Sequence, residues 1–330
     1  MKQMMHAAVT DVDLRTLVDA WLQNYRVVAP VYDDGVLVYA PVSSGSELEL
    51  TDVLPYKSPK EFLFPQVEKV MEFSDQGQVL EAETVPTILL GVRPCDLEAL
   101  RVLHSVFTGG PFLDPFFAAH WENTVLVGLG CLEKKKGCFC DERQVSSGAS
   151  NDCDLFFHRR GDQLYAEALT EKGRSLLSED EWRSEELPPQ DRAVLDSGEG
   201  QLEITADERT VFEEVDWRRI TERCLGCGIC TYICPTCHCF DFRDVQEDDV
   251  SSRYRCWDSC MYPKFTEHAS GHNPRNTKRE RYRQRVMHKF VYVPKNFGSV
   301  ACTGCGRCIR SCPVGMNIRS IVSDVMEDLS

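Results

Sequence analysis

The most informative stretch of the chain is a cysteine run, Cys224-Leu-Gly-Cys-Gly-Ile-Cys-Thr-Tyr-Ile-Cys-Pro235. A second run has the same spacing, Cys302-Thr-Gly-Cys-Gly-Arg-Cys-Ile-Arg-Ser-Cys-Pro313. This repeated spacing is typical of ferredoxin-type sites for [4Fe–4S] clusters, because each of the four iron corners of a cluster needs one thiolate. Zinc also accepts four thiolates, but it needs only CxxC pairs. The pattern therefore favours two iron–sulfur clusters over zinc.

The spacing also predicts which cysteines bind together. In such runs the first three cysteines bind one cluster, and the fourth, which precedes the proline, binds the other. The predicted ligands of cluster 1 are Cys224, Cys227, Cys230 and Cys312. The predicted ligands of cluster 2 are Cys302, Cys305, Cys308 and Cys234.

Composition limits the remaining possibilities. The chain has 330 residues, of which 42% are hydrophobic and 27% charged, and this balance is enough for about two folded domains. The net charge of −15 disfavours a nucleic-acid partner. No stretch is apolar enough for a membrane span or an export signal, so we expect a cytoplasmic protein. In that compartment 17 cysteines indicate metal binding and not disulfides.

We predict an α+β fold with three parts. Residues 1–177 read as a mixed α/β domain, with buried strands expected at Thr87–Val92 and Val125–Leu129. Residues 178–206 are acidic and rich in Pro and Ser, which indicates a linker. Residues 207–330 are predicted to form a helical ferredoxin-like domain with a basic insertion at 235–301, closed by an amphipathic helix from Ile318.

Four further cysteines lie near predicted strand ends in the first domain: Cys95, Cys131, Cys138 and Cys140. The carboxyl ends of strands in an α/β sheet meet at one edge, so these thiols are expected to converge. We predict that they hold a third [4Fe–4S] cluster. Buried structural cysteines and a zinc site remain the alternatives.

The insertion contains another set of thiols, Cys237, Cys239, Cys256 and Cys260, with His238 beside them. These residues are candidate ligands for a metal, and packing around the ferredoxin clusters is the alternative. The segment from Cys234 to His238 also fits the CxxCH signature of haem attachment, but Cys234 is already assigned and no export signal supports haem. We expect no haem.

The later part of the insertion is strongly basic. Its cations are Lys264, Arg275, Lys278, Arg279, Arg281, Arg283, Arg285, Lys289 and Lys295. Such a run is ordinarily a solvated helix face. Two other readings are a docking surface for an acidic partner and compensation of cluster negative charge.

The chain contains no GxGxxG fingerprint, no P-loop and no nucleophile elbow. We therefore expect no nucleotide on this chain and assign no catalytic residue. Hydride chemistry would belong to another subunit.

Five stretches give the chain a resemblance to a known family. They are Gly91-Val-Arg-Pro-Cys-Asp-Leu97, Gly128-Leu-Gly-Cys131 with Cys138-Phe-Cys140, Cys234-Pro-Thr-Cys-His-Cys-Phe-Asp241, Trp257-Asp-Ser-Cys260 and Gly271-His-Asn-Pro-Arg275. With them the chain resembles the family formed by anaerobic sulfite reductase A and the β subunits of cytosolic sulfhydrogenases. Related iron–sulfur subunits accompany flavin oxidoreductases that feed heterodisulfide reductase.

The resemblance implies a relay subunit of a multi-subunit oxidoreductase in anaerobic metabolism. A companion NAD(P)H-binding flavoprotein would supply electrons, and this chain would pass them singly to a catalytic reductase or hydrogenase subunit. Two alternatives are an enzyme with its own N-terminal flavin or substrate site, and a redox-sensing or scaffold iron–sulfur protein.

Overall fold

The computed structural model describes residues 6–51, 53–73, 78–160, 163–177, 202–247 and 250–330. It combines sheets and helices, so the predicted α+β class is confirmed. Most of the predicted linker, 178–201, lies outside the described residues. The division into residues 1–177 and 207–330 stays a prediction.

The strands are β1 (His6–Thr10), β2 (Arg26–Asp33), β3 (Val36–Pro41), β4 (Val67–Phe73), β5 (Gln78–Val79), β6 (Thr87–Val92), β7 (Thr124–Leu129), β8 (Leu155–Arg160), β9 (Gln163–Ala168), β10 (Phe240–Glu247) and β11 (Val250–Trp257). The helices are α1 (Asp11–Trp21), α2 (Pro94–Thr108), α3 (Pro115–Glu122), α4 (Glu171–Arg174), α5 (Glu208–Glu214), α6 (Trp217–Thr221), α7 (Ile229–Tyr232), α8 (Lys278–Met287), α9 (Val293–Phe297), α10 (Arg307–Arg310) and α11 (Ile318–Asp328). A π-helical turn, His288–Tyr292, joins α8 to α9.

The first sheet has the strand order β1-β9-β8-β7-β6-β2-β3. Its centre, from β2 through β6 and β7 to β8, is parallel, and the outer pairs are antiparallel. Every residue of β6 and β7 is buried, as expected for strands covered on both faces. Both predicted strands lie where the sequence placed them. The chain leaves β6 toward Cys95 and β7 toward Cys131, so the sheet edge brings these cysteines together.

A second sheet has the order β10-β11-β4-β5, and no pattern in the sequence predicts it. The insertion supplies the hairpin β10–β11, and β11 pairs antiparallel with β4 from the first third of the chain. Buried Arg255 on β11 fixes this contact, because its guanidinium forms ion pairs with Glu68 and Asp114. The insertion is therefore tied to the N-terminal part of the fold.

The helices of the C-terminal part surround the two cysteine runs. The apolar face of α11 buries Ile318, Ile321, Val322 and Val325, which matches the predicted closing helix. This face packs in one core with Val286 and Met287 of α8 and with Phe139 from the N-terminal part. Because this core includes Cys224, packing against several elements holds the first cysteine run in place. No described helix is long and apolar enough to cross a membrane.

Candidate cluster-binding sites

Each cysteine run forms a loop that ends in a one-turn helix. The third cysteine of the first run lies in α7, and the third cysteine of the second run lies in α10. The two short helices contact each other, so the loops face one another. This arrangement allows the fourth cysteine of each run to reach the opposite loop.

The first cavity, cavity A, is lined by Cys224, Cys227, Cys230 and Cys312. These are the four residues that the spacing predicts for cluster 1. The backbone N–H of Gly226 donates to the sulfur of Cys224 at 3.3 Å, and that of Met316 donates to the sulfur of Cys312 at 3.2 Å. Such bonds stabilise thiolate ligands.

The second cavity, cavity B, is lined by Cys234, Cys302, Cys305 and Cys308. These residues are the set predicted for cluster 2. Cavity B lies deeper than cavity A: Cys305 and Cys234 are buried, whereas Cys227 of cavity A is exposed. The two crossed ligand sets therefore converge in two separate cavities of different depth.

The third cavity, cavity C, is lined by Cys95, Cys131, Cys138 and Cys140. The structure thus brings together the N-terminal cysteines whose convergence the strand ends predict. Arg93 and Pro94, at the start of α2, form part of the wall. Burial raises the pKa of Cys140 to about 12.

The three cavities form a row. Cys308 lines both cavity A and cavity B, and Cys305 lines both cavity B and cavity C. Cavity B is therefore the middle of the row, between the other two. One cysteine-lined path runs from the exposed loop around Cys227 to the edge of the N-terminal sheet.

Close backbone packing joins cavity B to cavity C. The N–H of Phe139 donates to the carbonyl of Gly304 at 2.8 Å. Gly304 has φ +68°, and a Cβ there would lie 2.5 Å from the backbone nitrogen of Cys140. Only glycine fits this approach, because it tolerates positive φ and carries no Cβ.

A buried ion pair crosses the same boundary. The guanidinium of Arg307, in α10, donates to both carboxylate oxygens of Asp96 at 2.5 and 2.8 Å. Arg307 is 1% exposed and Asp96 is fully buried. Because Asp96 follows Cys95 in the chain, the pair fixes the second run against the wall of cavity C.

Three buried cations surround the segment from Cys234 to Cys237. Lys289 donates to the sulfur of Cys234 at 3.1 Å, and Arg285 donates to the sulfur of Cys237 at 3.3 Å. Lys60 donates to the carbonyls of Cys234 and Cys237 at 2.9 and 2.8 Å. Burial alone would lower the pKa of Lys289, but the negative charges of Cys234 and Cys237 outweigh burial and raise it.

The basic stretch thus divides into two groups. Arg281, Arg285 and Lys289 follow one another at a spacing of four residues and are buried, whereas Lys278 and Arg279 are exposed. This favours charge compensation by Arg285 and Lys289, which reach cysteine sulfurs, and a solvated face for the exposed cations. Arg281 instead donates to the backbone carbonyls of Met261, Arg275 and Asn276. The spacing of four residues, which places these three cations on one helix face, is visible in the sequence. Nothing in the sequence around Lys60 indicates its contact with Cys234.

The structure separates the candidate cysteines of the insertion: Cys237 and Cys239 each contact another cysteine, whereas Cys256 lies on β11. Cys237 contacts Cys234, and a hydrogen bond from Cys260 lowers the pKa of Cys239 to about 6. Cys256 lies on β11, opposite Asp241. Among the described residues, no three His, Cys, Asp or Glu side chains lie close enough to bind one metal ion directly. A cluster site differs from such a site, because each thiolate binds its own iron.

His238 is buried, and its Nδ1–H donates to the carbonyl oxygen of Thr236 at 3.0 Å. Burial lowers the pKa of His238 to about 4, so its ring is neutral near pH 7. Cys153, which belongs to none of the predicted ligand sets, is buried in the core of the first sheet. It lines none of the three cavities.

Cavities A and B, with four thiols each at ferredoxin spacing, define an iron–sulfur protein of the two-cluster ferredoxin class. Residues 223–316 match the family described as "4Fe-4S dicluster domain". Over 317 residues the chain is 29% identical to the protein named sulfhydrogenase 2 subunit beta from Pyrococcus furiosus, and the alignment covers 92% of this chain and 93% of that protein. Both findings agree with the resemblance to anaerobic sulfite reductase A and sulfhydrogenase β subunits that the sequence motifs indicate. No solved structure matches it.

Proposed function

We propose that this chain is an electron-transfer subunit that accepts electrons from an NAD(P)H-oxidising flavoprotein and passes them to a catalytic reductase or hydrogenase subunit. The observation that carries the proposal is the row of cavities A, B and C, joined by Cys308 and Cys305. The similarity to a β subunit of a sulfhydrogenase supports the presence of partner subunits. We propose a cytoplasmic location, because free thiols persist in a reducing compartment.

We propose that each cavity holds one [4Fe–4S] cluster. The ligands would be Cys224, Cys227, Cys230 and Cys312 in cavity A, Cys302, Cys305, Cys308 and Cys234 in cavity B, and Cys95, Cys131, Cys138 and Cys140 in cavity C. When bound, such clusters accept and release single electrons. The donor chemistry fits, since four thiols line each cavity and backbone N–H groups already point at the sulfurs of Cys224 and Cys312.

The two ends of the row differ, and we propose that they receive different partners. At cavity A the exposed Cys227 is flanked by Leu225 and Ile229, which are 58% and 38% exposed. At cavity C the rim carries Glu133, whose side chain is 70% exposed, and Lys135. An apolar rim favours a permanent subunit contact, and a charged rim favours an electrostatically guided one.

The test is the content of iron, acid-labile sulfide and zinc in anaerobically purified protein. Three centres require about 12 iron atoms with matching sulfide, and two require about 8. The variants Cys131→Ala and Cys153→Ala form a matched pair, because only Cys131 lines cavity C. We expect Cys131→Ala to lose iron from cavity C and Cys153→Ala to keep all of it.

Two results would contradict the proposal at different levels. Stoichiometric zinc without sulfide would exclude the relay function. About 8 iron atoms per chain, unchanged by Cys131→Ala, would exclude the centre in cavity C and leave a two-centre relay through cavities A and B.

A further inference from the structure

The fourth cysteines of the two runs have equivalent positions in the sequence and different surroundings. The sulfur of Cys312 accepts one hydrogen bond, from the backbone N–H of Met316. The sulfur of Cys234 accepts a hydrogen bond from the ammonium group of Lys289, and the hydroxyl oxygen of Thr236 lies 3.2 Å away. The positions of Thr236 and Cys237 are occupied by Val314 and Gly315 after Cys312. The surroundings of the Cys234 sulfur are therefore polar and cationic, and those of the Cys312 sulfur are not.

The ammonium group of Lys289 is fixed in place. It also donates to the hydroxyl of Thr236 and to the carbonyl of Ala301, each at 2.7 Å, and the residue is 3% exposed. Lys289 belongs to the π-helical turn between α8 and α9. Such turns are rare in helices and occur frequently at functional sites.

The buried cations near cavity B have no carboxylate partner among the residues that the structure describes. Within the described part of the chain, none of Lys60, Arg285 and Lys289 forms an ion pair with Asp or Glu. Their partners are the sulfurs and carbonyls of the segment 230–237, the carbonyl of Ala301, the hydroxyl of Thr236 and the ring of Trp257. A buried cation is costly unless an opposite charge accompanies it, so this group of residues is suited to an anionic occupant of cavity B.

We infer that Lys289, supported by Lys60, gives the centre in cavity B a higher reduction potential than the centre in cavity A, so that an electron shared between these two centres rests in cavity B. Arg285 lines both cavities and does not distinguish them. The inference rests on the proposed function and deepens it. Reduction adds one negative charge to a centre in a poorly polarisable interior, where a fixed cation stabilises it strongly. Hydrogen bonds to ligand sulfurs act in the same direction.

The experiment is an anaerobic redox titration of the intact protein, followed by EPR. The variant Cys302→Ser identifies the signal of cavity B by its loss. In Lys289→Met we expect the midpoint potential of that signal to fall. At the original midpoint, the ratio of reduced to oxidised centre should drop at least tenfold, which is about 59 mV for a one-electron couple. The signal of cavity A should keep its potential.

Lys289→Arg and Lys295→Met are the matched controls. Lys289→Arg keeps the charge and should restore most of the potential. Lys295 lies six residues further on, in an exposed ion pair with Glu208, so Lys295→Met should leave both signals unchanged. Thr236→Val removes one anchor of Lys289 without removing a charge, and we expect a smaller shift in the same direction.

The outcomes separate this inference from the proposed function. If the unmodified protein shows no [4Fe–4S] signal, the proposed function fails. If the signals are present and Lys289→Met retains all iron with an unchanged potential, the inference alone is wrong. If Lys289→Met loses the centre of cavity B, the midpoint potential of that centre in Thr236→Val tests the inference. A lowered midpoint potential supports the inference, and an unchanged one overturns it.

Discussion

The run that begins at Cys224 lies near the surface, and the run that begins at Cys302 lies inside the protein. Leu225 is 58% exposed, whereas Thr303 at the equivalent position is 2% exposed. Ile229 is 38% exposed, whereas its counterpart Arg307 is 1% exposed. The cysteine spacing is identical, so the difference comes from the residues between the cysteines and from what packs on them. Spacing determines which thiols meet, and the intervening residues determine the surroundings of the site.

The largest expected effect tests whether the two runs share their ligands. Cys312→Ser should damage the centre of cavity A, built on Cys224, Cys227 and Cys230, and Cys234→Ser should damage that of cavity B. Each variant should lose about four iron atoms, because a cubane missing one thiolate is released or degraded. EPR of the reduced variants identifies the centre lost. If Cys312→Ser altered only the signal of cavity B, the two runs would be independent sites.

The next effect concerns stability. Arg307→Leu leaves the carboxylate of Asp96 buried without its partner, and breaking such a pair typically costs about 3–5 kcal/mol. Ile229→Leu at the equivalent surface position should change stability by less than about 0.5 kcal/mol. Thermal unfolding under anaerobic conditions compares the two variants. Restored stability in Asp96→Leu/Arg307→Leu would confirm that the loss comes from the unpaired charge, and an unaltered unfolding temperature in Arg307→Leu would refute it.

A smaller difference in stability is expected between alanine substitutions of two glycines that hold the same position in the two runs. Gly226→Ala and Gly304→Ala both force alanine into a left-handed conformation, which costs about 1–2 kcal/mol. At Gly304 the new Cβ would clash with the backbone of Phe139 and Cys140 at 2.5 Å, whereas at Gly226 the nearest atom is 3.5 Å away on the Lys278 side chain. We expect Gly304→Ala to cost about 1–3 kcal/mol more and to lose iron from cavity C. Unfolding temperature and iron content measure both effects, and equal values for the two variants would argue against a shared wall.

The smallest effect is expected at the surface. Leu225→Thr gives the first run the residue of the second run and removes exposed apolar area. Stability should change by less than about 0.5 kcal/mol, and both EPR signals should keep their potentials. A shift of either signal would mean that Leu225 shapes cavity A directly and is not simply part of its outer rim.

The sequence predicts the parts of this molecule that depend on local pattern. The crossed cysteine sets follow from spacing, β6 and β7 follow from continuous apolar runs, and α11 follows from its periodicity. Even the convergence of Cys95 with Cys131 follows from the rule that parallel strand ends meet at one edge. These features need only short-range information and one general rule of sheet architecture.

The remaining features depend on partners distant in the chain. No sequence prediction covers the hairpin β10–β11. It joins a larger sheet because β11 pairs with β4 and Glu68 accepts from Arg255. Lys60 lies more than 170 residues before Cys234, to whose carbonyl it donates. The buried and exposed cations of α8 have the same chemistry, so only the tertiary structure distinguishes them. Tertiary pairing overrides local propensity at each of these points.

The pairing of β4 with β11 also governs how the protein is made. During synthesis, β4 leaves the ribosome long before β11, and its strand edge stays open during that interval. Cavity C is in the same position, since Cys95 and Cys140 are translated well before Cys305 completes the wall. Pairing over such separations slows folding. The nascent chain therefore carries an unprotected strand edge until β11 has been synthesised, and uncovered thiols until Cys305 has been added.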